Sequence, residues 1–229
     1  ACVCRSSRRT THAAALPSVV RSVQDPLATN EVNVTGTLNL LMAARDAKVE
    51  RVVFSSSSSV YGDTAVLPKR EDMLPSPRSP YALSKLAGEC YGSIFSELFG
   101  LATSSLRYFN VFGPRQDPSS QYSAVIPRFI DALHHERAPV IYGDGSQTRD
   151  FTFVEDVVSA NLCCCSAPLA AAGAAYNVAW GNRISLRELV LRLTQIMGKT
   201  IEPVYESPRA GDVHDSQADS SLAMSRLGW

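Results

Sequence analysis

The stretch Arg51-Val-Val-Phe-Ser-Ser-Ser-Ser-Ser59 joins a short apolar run to five consecutive serines. An apolar run of this length that ends in small polar residues predicts a buried β-strand. Helices are predicted on both sides of it. Apolar residues recur at helical spacing from Asn30 to Lys48, and Ser79-Pro80 provides an N-cap and a first-turn proline for a helix that Gly100 ends. A second strand is predicted from Leu101 to Phe109. Helix, strand, helix and strand in this order predict an α/β fold with a parallel sheet and crossover helices.

The remaining sequence differs in its residue composition. From Asn110 to about Arg149 it is rich in Pro, Gly, Gln and Asp, which predicts loops. Ser185-Leu-Arg-Glu188 is a capping box and predicts the start of another helix. Ala1 to Thr11 has no strand pattern, and the sequence lacks the G-x-G-x-x-G loop of dinucleotide-binding units. We therefore expect the chain to begin midway through a domain.

Composition and charge argue against several classes of protein. The 229 residues carry 22 basic and 22 acidic side chains, and no basic tract favours nucleic acid. No apolar run approaches the roughly 20 residues that span a bilayer, so no membrane partner is expected. The six cysteines, three of them adjacent at Cys163 to Cys165, fit neither a disulfide framework nor a zinc pattern. With His134 and His135 interpreted as solvated, no metal site is expected, and a reducing cytoplasmic location is favoured.

The segment Tyr81-Ala-Leu-Ser-Lys85 carries the chemistry. Its tyrosine and lysine are four residues apart, on one face of the predicted helix. A lysine ammonium beside a phenol favours the phenolate, so we expect Lys85 to lower the pKa of Tyr81. Ser57 lies at the predicted strand end, where its hydroxyl would bind the same substrate oxygen. Such a phenolate would take a proton from a substrate hydroxyl while the carbon passes hydride to a nicotinamide. Alone, the Y-x-x-x-K pattern is common by chance and otherwise marks a solvated helix turn.

From about His12 to Trp229 the sequence resembles the extended short-chain dehydrogenases, the NAD-dependent epimerase/dehydratase family. The motifs that carry the resemblance are His12-Ala-Ala-Ala-Leu16, Asn33-Val-Thr-Gly-Thr37, Phe54-Ser-Ser-Ser-Ser-Ser-Val-Tyr-Gly62, Ser79-Pro-Tyr-Ala-Leu-Ser-Lys85, Arg107-Tyr-Phe-Asn-Val-Phe-Gly-Pro114, Gly143-Asp-Gly-Ser-Gln-Thr-Arg-Asp150 and Pro208-Arg-Ala-Gly-Asp212. The resemblance implies a Rossmann-like parallel sheet that lacks its N-terminal part, with a smaller α/β region that binds substrate. Residues 1–110 would be the C-terminal portion of the NAD-binding domain. Residues 111–229 would be mainly the sugar-nucleotide-binding region, with 150–180 contributing back to the sheet.

The resemblance also implies roles for single residues. Tyr81 would be the catalytic acid and base, Lys85 would hold the nicotinamide ribose of NAD, and Ser57 would hydrogen-bond the sugar. The other implied cofactor contacts are Ala14, Asn33, Ser56 and Phe109. The implied contacts to a UDP-sugar, besides Ser57, are Asn110, Val125, Tyr142, Arg149, Arg209, Asp212 and Ser216. The guanidinium groups among them suit a pyrophosphate. A homodimer is implied too, through a four-helix bundle of the helices 30–48 and 81–98.

Ser58 and Ser59 discriminate within the family. The sugar-nucleotide 4,6-dehydratases carry Asp-Glu just before Val-Tyr-Gly and the UDP-glucuronate decarboxylases carry Glu, whereas serine supplies no carboxylate. UDP-sugar 4-epimerisation is therefore favoured, and the motifs look most like those of bacterial UDP-N-acetylglucosamine 4-epimerases, with UDP-glucose 4-epimerases as the nearest rival. Ser216, four positions after Asp212, is small and is predicted to leave room for an N-acetyl group. Two alternatives stay open: another sugar-nucleotide reaction of the family (dehydratase, decarboxylase or reductase), and an inactive fragment that at most binds a UDP-sugar.

Overall fold

The computed structural model describes residues 8–118, 124–208 and 214–229. The α-helices of these residues are α1 (Val19–Gln24), α2 (Pro26–Asn30), α3 (Gly36–Asp46), α4 (Pro80–Phe99), α5 (Val125–His134), α6 (Val154–Ser166), α7 (Leu186–Met197) and α8 (Ser221–Leu227). The strands are β1 (Arg9–His12), β2 (Arg51–Ser57), β3 (Ala102–Tyr108), β4 (Val111–Phe112), β5 (Val140–Tyr142), β6 (Thr148–Arg149), β7 (Thr152–Phe153), β8 (Ala175–Val178), β9 (Ile184–Ser185) and β10 (Val204–Glu206). A π-helical stretch, Glu31–Thr35, joins α2 to α3. Across the described ranges, no helix combines the length and the apolar character that crossing a membrane requires.

A four-stranded parallel sheet in the order β1-β2-β3-β8 forms the centre of the fold. β2 and β3 pair along their whole length, from Arg51 opposite Ala102 to Ser57 opposite Tyr108. This confirms the predicted parallel sheet with crossover helices. β8 comes from the stretch 150–180 and pairs with β3, while the domain boundaries stay a prediction. Outside the sheet, β4 pairs with β7 and β5 with β10 in parallel, and β6 pairs with β9 antiparallel.

Alternating side chains along β2 place helices on both faces of the sheet. Val52 packs with Leu41 of α3 and Phe95 of α4. Its neighbour Val53 packs with Cys164 of α6. Cys164 is fully buried in that cluster, as expected for a thiol that behaves as a small apolar side chain.

Strand β1 shows that the absence of a strand in residues 1–11 was the wrong expectation. Arg9–His12 pairs in parallel with Arg51–Phe54 of β2. Of its four residues only His12 is buried, so the apolar alternation that signals a strand is missing from the sequence. The strand depends on backbone pairing with β2 rather than on burial of its own side chains.

Helix α5 corrects the prediction of loops between residues 110 and 149. Ile126, Phe129 and Leu133 recur at helical spacing and are buried, and the first two pack against α7 and β5. Pro127 falls in the first turn, where a missing N–H breaks no intrahelical hydrogen bond. His134 ends this helix and is exposed.

The predicted helix from Asn30 to Lys48 is also extended at its start. Helical turns run from Pro26, through the π-helical stretch, to Asp46. Asp25 caps them, since its carboxylate accepts a hydrogen bond of 3.0 Å from the backbone N–H of Ala28.

Helix α4 has the ends that its capping residues predict. Ser79 Oγ accepts a hydrogen bond of 3.1 Å from the backbone N–H of Ala82, and Gly100 adopts the left-handed conformation with φ 64°. The helix lies so close to β2 that a Cβ atom added to Gly88 would stand 2.3 Å from Cζ of Phe54. Gly88 therefore sets how closely α4 approaches the strand that ends at Ser57.

Gly88→Ala is expected to lower the free energy of unfolding by about 1–3 kcal/mol, because the added methyl group overpacks the contact between α4 and β2. Gly36→Ala is the matched control: its Cβ would meet only the carbonyl oxygen of Glu31, at 3.7 Å. Alanine there should stabilise the helix by about 0.5–1 kcal/mol. Urea unfolding measures both changes, and equal stability of the two variants would contradict the tight contact.

Candidate active site

The end of β2 and the first turns of α4 bring Ser57, Tyr81 and Lys85 together. The side chain of Ser57 lies close enough to the Tyr81 phenol to influence its pKa. Lys85 is 5% exposed, and its Nζ lies 5.9 Å from the centroid of the Tyr81 ring. Nζ donates a hydrogen bond of 2.7 Å to the carbonyl oxygen of Ser55. The three residues predicted to be catalytic are therefore neighbours, although a long loop separates Ser57 from the other two in the sequence.

Burial changes the acid–base properties of this group. It lowers the pKa of Lys85 to about 8. It also raises the pKa of Tyr81, against a smaller lowering effect of the Ser57 side chain. The net pKa shift of Tyr81 is therefore upward, opposite to the expected direction, and a lowering contribution from Lys85 stays a prediction. The physical reason is that burial removes the water that would stabilise a phenolate, while the ammonium is bonded to the Ser55 carbonyl.

Asn33 fastens the irregular segment that follows β1. Its Oδ1 accepts a hydrogen bond of 2.7 Å from the backbone N–H of Leu16, and its Nδ2 donates to the Leu16 carbonyl oxygen at 3.1 Å. Nδ2 also donates to Ser84 Oγ at 3.1 Å, which ties the segment to α4. Ala14 lies in this segment and is exposed. Direct contact of Asn33 or Ala14 with a cofactor stays a prediction.

The side chains of Ser56 and Phe109 are used inside the fold. Ser56 donates a hydrogen bond to Glu89, and Glu89 forms a two-pronged ion pair with Arg107, with Nε–Oε1 3.0 Å and Nη2–Oε2 2.7 Å. Phe109 is 1% exposed and packs with Val60. The Ser56 hydroxyl proton and the Phe109 ring are thus engaged within the fold, and a cofactor contact by either residue stays a prediction.

A cavity of about 210 Å³ opens where β3 ends and α5 begins. Four residues predicted to bind the UDP-sugar line it: Asn110, Val125, Tyr142 and Arg149. Asn110 has a positive φ of 32°, a conformation that asparagine tolerates better than most residues. The structure thus gathers these four residues around one space.

Ser216 lies next to Asn110. Asn110 Nδ2 donates to Ser216 Oγ at 3.3 Å, and the backbone N–H of Ser216 donates to the Thr148 carbonyl oxygen at 3.1 Å. Arg209 and Asp212 lie outside the described residues. The predicted sugar-facing position is therefore beside the cavity, on a segment that runs along Thr148.

Two further residues belong to this region that were not predicted from the sequence as site residues. Arg128 lines the cavity, and its guanidinium carbon lies 5.9 Å from the centroid of the Tyr142 ring. Recognising α5 from its apolar spacing would have placed Arg128 near Val125. Asp150 is fully buried, and only its position at the end of the Gly143–Asp150 motif distinguishes it in the sequence.

Comparison with known proteins identifies the class. Residues 7–179 match the model of the NAD dependent epimerase/dehydratase family. The chain is 44% identical over 219 residues to a UDP-glucose 4-epimerase from Mycolicibacterium smegmatis, an alignment that covers 95% of this chain and 69% of that protein. The chain belongs to the NAD-dependent epimerase/dehydratase family. The match begins at residue 7, a few residues before the predicted start of the resemblance at about His12.

Two solved structures share the fold. A UDP-N-acetylglucosamine 4-epimerase from Methanobrevibacter ruminantium, in complex with UDP-N-acetylmuramic acid, superposes with a TM-score of 0.93 at 39% identity, covering 96% of this chain and 70% of that one. A UDP-glucose 4-epimerase from Thermotoga maritima, with UDP-glucose, gives 0.93 at 36% identity, covering 97% and 71%. The resemblance to the family and the Rossmann-like α/β fold are confirmed.

Lys85→Met tests the lowered pKa. Because the pKa of Lys85 falls from 10.5 to about 8 on folding, the folded state binds this proton less tightly than the unfolded state. The wild type should therefore gain stability relative to Lys85→Met as the pH rises from about 8 to about 10.5, and this gain should be absent at lower pH. Urea unfolding at several pH values measures the difference, with Lys48→Met, at an exposed residue, as control. A difference that does not change with pH would contradict the assignment.

Proposed function

We propose that the protein catalyses the NAD-dependent 4-epimerisation of a UDP-hexose or UDP-N-acetylhexosamine through a 4-keto intermediate. The observation that carries the proposal is that Ser57 lies beside Tyr81, which is one helical turn before Lys85. In this arrangement a sugar hydroxyl that approaches Tyr81 also meets the Ser57 hydroxyl. Homologues that are UDP-sugar 4-epimerases support the same reaction.

Tyr81 would carry the proton of the C4 hydroxyl. Its phenolate would accept that proton as C4 is oxidised, and the phenol would return it after the keto sugar has turned its other face to the cofactor. Ser57 would hold the C4 oxygen during both steps. Lys85, protonated at neutral pH because its pKa is about 8, would stabilise the phenolate by its positive charge.

Lys85 also fits a role in holding NAD. An ammonium group has three N–H donors, and within the described residues Nζ makes one hydrogen bond, to Ser55. The remaining donors suit the hydroxyl pair of a ribose. NAD, when bound, would supply the hydride acceptor for C4 and the donor for its return.

The cavity at Asn110 supports a nucleoside diphosphate as the recognised part of the substrate. Arg128, Arg149 and Tyr142 are among the residues that line it. A guanidinium group can donate two parallel hydrogen bonds to pyrophosphate oxygens. Arg209 and Asp212 stay predicted contacts of the same substrate.

A different reaction of the family is the second candidate, since its members include dehydratases. Elimination of water needs an additional acid and base. The positions before Val60 are Ser58 and Ser59, which supply hydroxyls instead of carboxylates. This favours epimerisation, which requires only the residues already described.

Exposed apolar side chains on α4 support the proposed homodimer. Leu83, Ile94 and Leu98 are 57%, 45% and 68% exposed, on a helix that the resemblance places in a four-helix bundle. The thiols of Cys90, Cys163, Cys164 and Cys165 are free, which suits the proposed cytoplasmic location.

Tyr81→Phe is expected to reduce turnover by about 10²–10⁴-fold while the fold is retained, because it removes only the hydroxyl that carries the proton. Tyr205→Phe, at a half-exposed residue of β10, is the matched control and should keep full activity. Conversion of UDP-N-acetylglucosamine to UDP-N-acetylgalactosamine, followed by chromatography, measures both. Near wild-type turnover of Tyr81→Phe would remove Tyr81 from the mechanism.

Ser216→Tyr tests the substrate preference. A bulky ring at this position should fill the space beside Asn110 and exclude an N-acetyl group at C2, so turnover of the N-acetylated pair should be lost. Turnover of UDP-glucose and UDP-galactose should be kept or improved. Comparing kcat/KM for the four substrates decides the matter. Equal losses on all four would mean that Ser216 does not face C2.

A further inference from the structure

We infer that Asp150 is a positioning residue that seats the segment His214–Ala218 and so fixes the place of Ser216 at the sugar end of the cavity. The inference rests on the proposed function, because it assigns Ser216 to substrate selection. Asp150 touches none of the reacting groups in the proposal. It acts through the segment that it holds.

The carboxylate of Asp150 accepts hydrogen bonds from the backbone N–H groups of two distant segments. It is fully buried. Oδ2 accepts from the N–H of Gly181 at 3.1 Å and from the N–H of Ala218 at 3.1 Å, and Oδ1 accepts from Gly181 at 3.3 Å. One side chain, directly after β6, thus bonds two segments that lie 31 and 68 residues further along the chain.

Asp150 also reaches the cavity through its own backbone. Its carbonyl oxygen accepts a hydrogen bond of 3.1 Å from Asn110 Nδ2, the group that also donates to Ser216 Oγ. The carbonyl oxygen of Asp150 therefore holds Asn110, and its side chain holds Ala218 on the segment that carries Ser216. Displacement of the carboxylate would release Ala218, two residues from Ser216.

The rest of the segment is held by bonds of the same kind. Thr148 Oγ1 donates to Asp215 Oδ1 at 2.5 Å, and the backbone N–H of Lys69 donates to the Gln217 carbonyl oxygen at 2.8 Å. Gln217 Nε2 donates to the Gly181 carbonyl oxygen at 2.9 Å. Asp150 is the fully buried member of this set.

A carboxylate is costly at this place, which argues for a role beyond stability. Within the described residues Asp150 forms no ion pair, and burial raises its pKa to about 6 against the opposing effect of the backbone donors. It is therefore ionised at neutral pH with no ion pair among the residues that the structure describes. Only an ionised carboxylate offers two oxygen acceptors to several N–H donors, whereas asparagine offers one oxygen and an NH₂ group that would face a donor.

The test combines Asp150→Asn with Ser216→Tyr and measures binding of UDP-glucose and UDP-N-acetylglucosamine by calorimetry. Ser216→Tyr excludes the N-acetylated ligand only while the segment is held firmly. In the double variant, the affinity for UDP-N-acetylglucosamine divided by the affinity for UDP-glucose should therefore be about tenfold higher than in Ser216→Tyr alone. A purely structural role of Asp150 would weaken both ligands equally and leave their ratio unchanged, and that result would overturn the inference. Asp144→Asn is the matched control, since this exposed carboxylate bonds the backbone N–H of Ser146 within its own loop.

Amide hydrogen exchange at Gly181 and Ala218 gives a second readout that needs no ligand. Both amides should exchange at least about tenfold faster in Asp150→Asn than in the wild type, because their acceptor is lost; unchanged exchange would contradict the inference. If Asp150→Asn does not fold, Gln217→Ala replaces it in the ligand test and must shift the same ratio. A wild type that binds neither UDP-sugar would refute the proposed function instead, while the exchange result would still decide whether Asp150 seats the segment.

Discussion

The close contact of α4 with β2 is the constraint on which the site depends. Gly88 leaves no room for a side chain against Phe54, so the helix and the strand lie at one fixed separation. Lys85 and Glu89, one turn apart on α4, then bond consecutive residues of the strand, the Ser55 carbonyl oxygen and the Ser56 hydroxyl. The strand can end at Ser57 beside Tyr81 because its preceding residues are held by the same helix that carries Tyr81.

This arrangement buries several charged side chains, and burying a charge is energetically unfavourable. Lys85 and Asp150 are both buried without an ion pair among the described residues, and burial moves each pKa toward the neutral form. Arg107 and Glu89 are buried too, but they compensate each other. The compensated pair lies between helix and sheet, where it stabilises the fold. The uncompensated groups lie at positions that the proposed function uses. Lys85 is next to Tyr81, the proposed proton carrier, and Asp150 holds the segment that carries Ser216.

Local signals predicted the parts of the structure that are locally determined. The ends of α4 follow from Ser79-Pro80 and Gly100, and the pairing of β2 with β3 follows from two apolar runs separated by a helix. Strand β1 escaped prediction because its pairing with β2 is a long-range property and three of its four side chains are not buried. The pKa of Tyr81 was expected to fall and instead rises. Spacing along a helix indicates a neighbouring charge, but it does not indicate the loss of hydration. Asp150 carries no local signal, since its donors come from distant segments.

The fate of the hydrogen at C4 tests the central claim most directly. UDP-galactose and UDP-N-acetylgalactosamine that carry deuterium at C4 are incubated with the protein and NAD, and the products are analysed by mass spectrometry and NMR. The account predicts C4 epimers of unchanged mass that keep deuterium at C4, because the hydride leaves and returns within one site. Deuterium lost to the solvent, or a product lighter by one water, would contradict it.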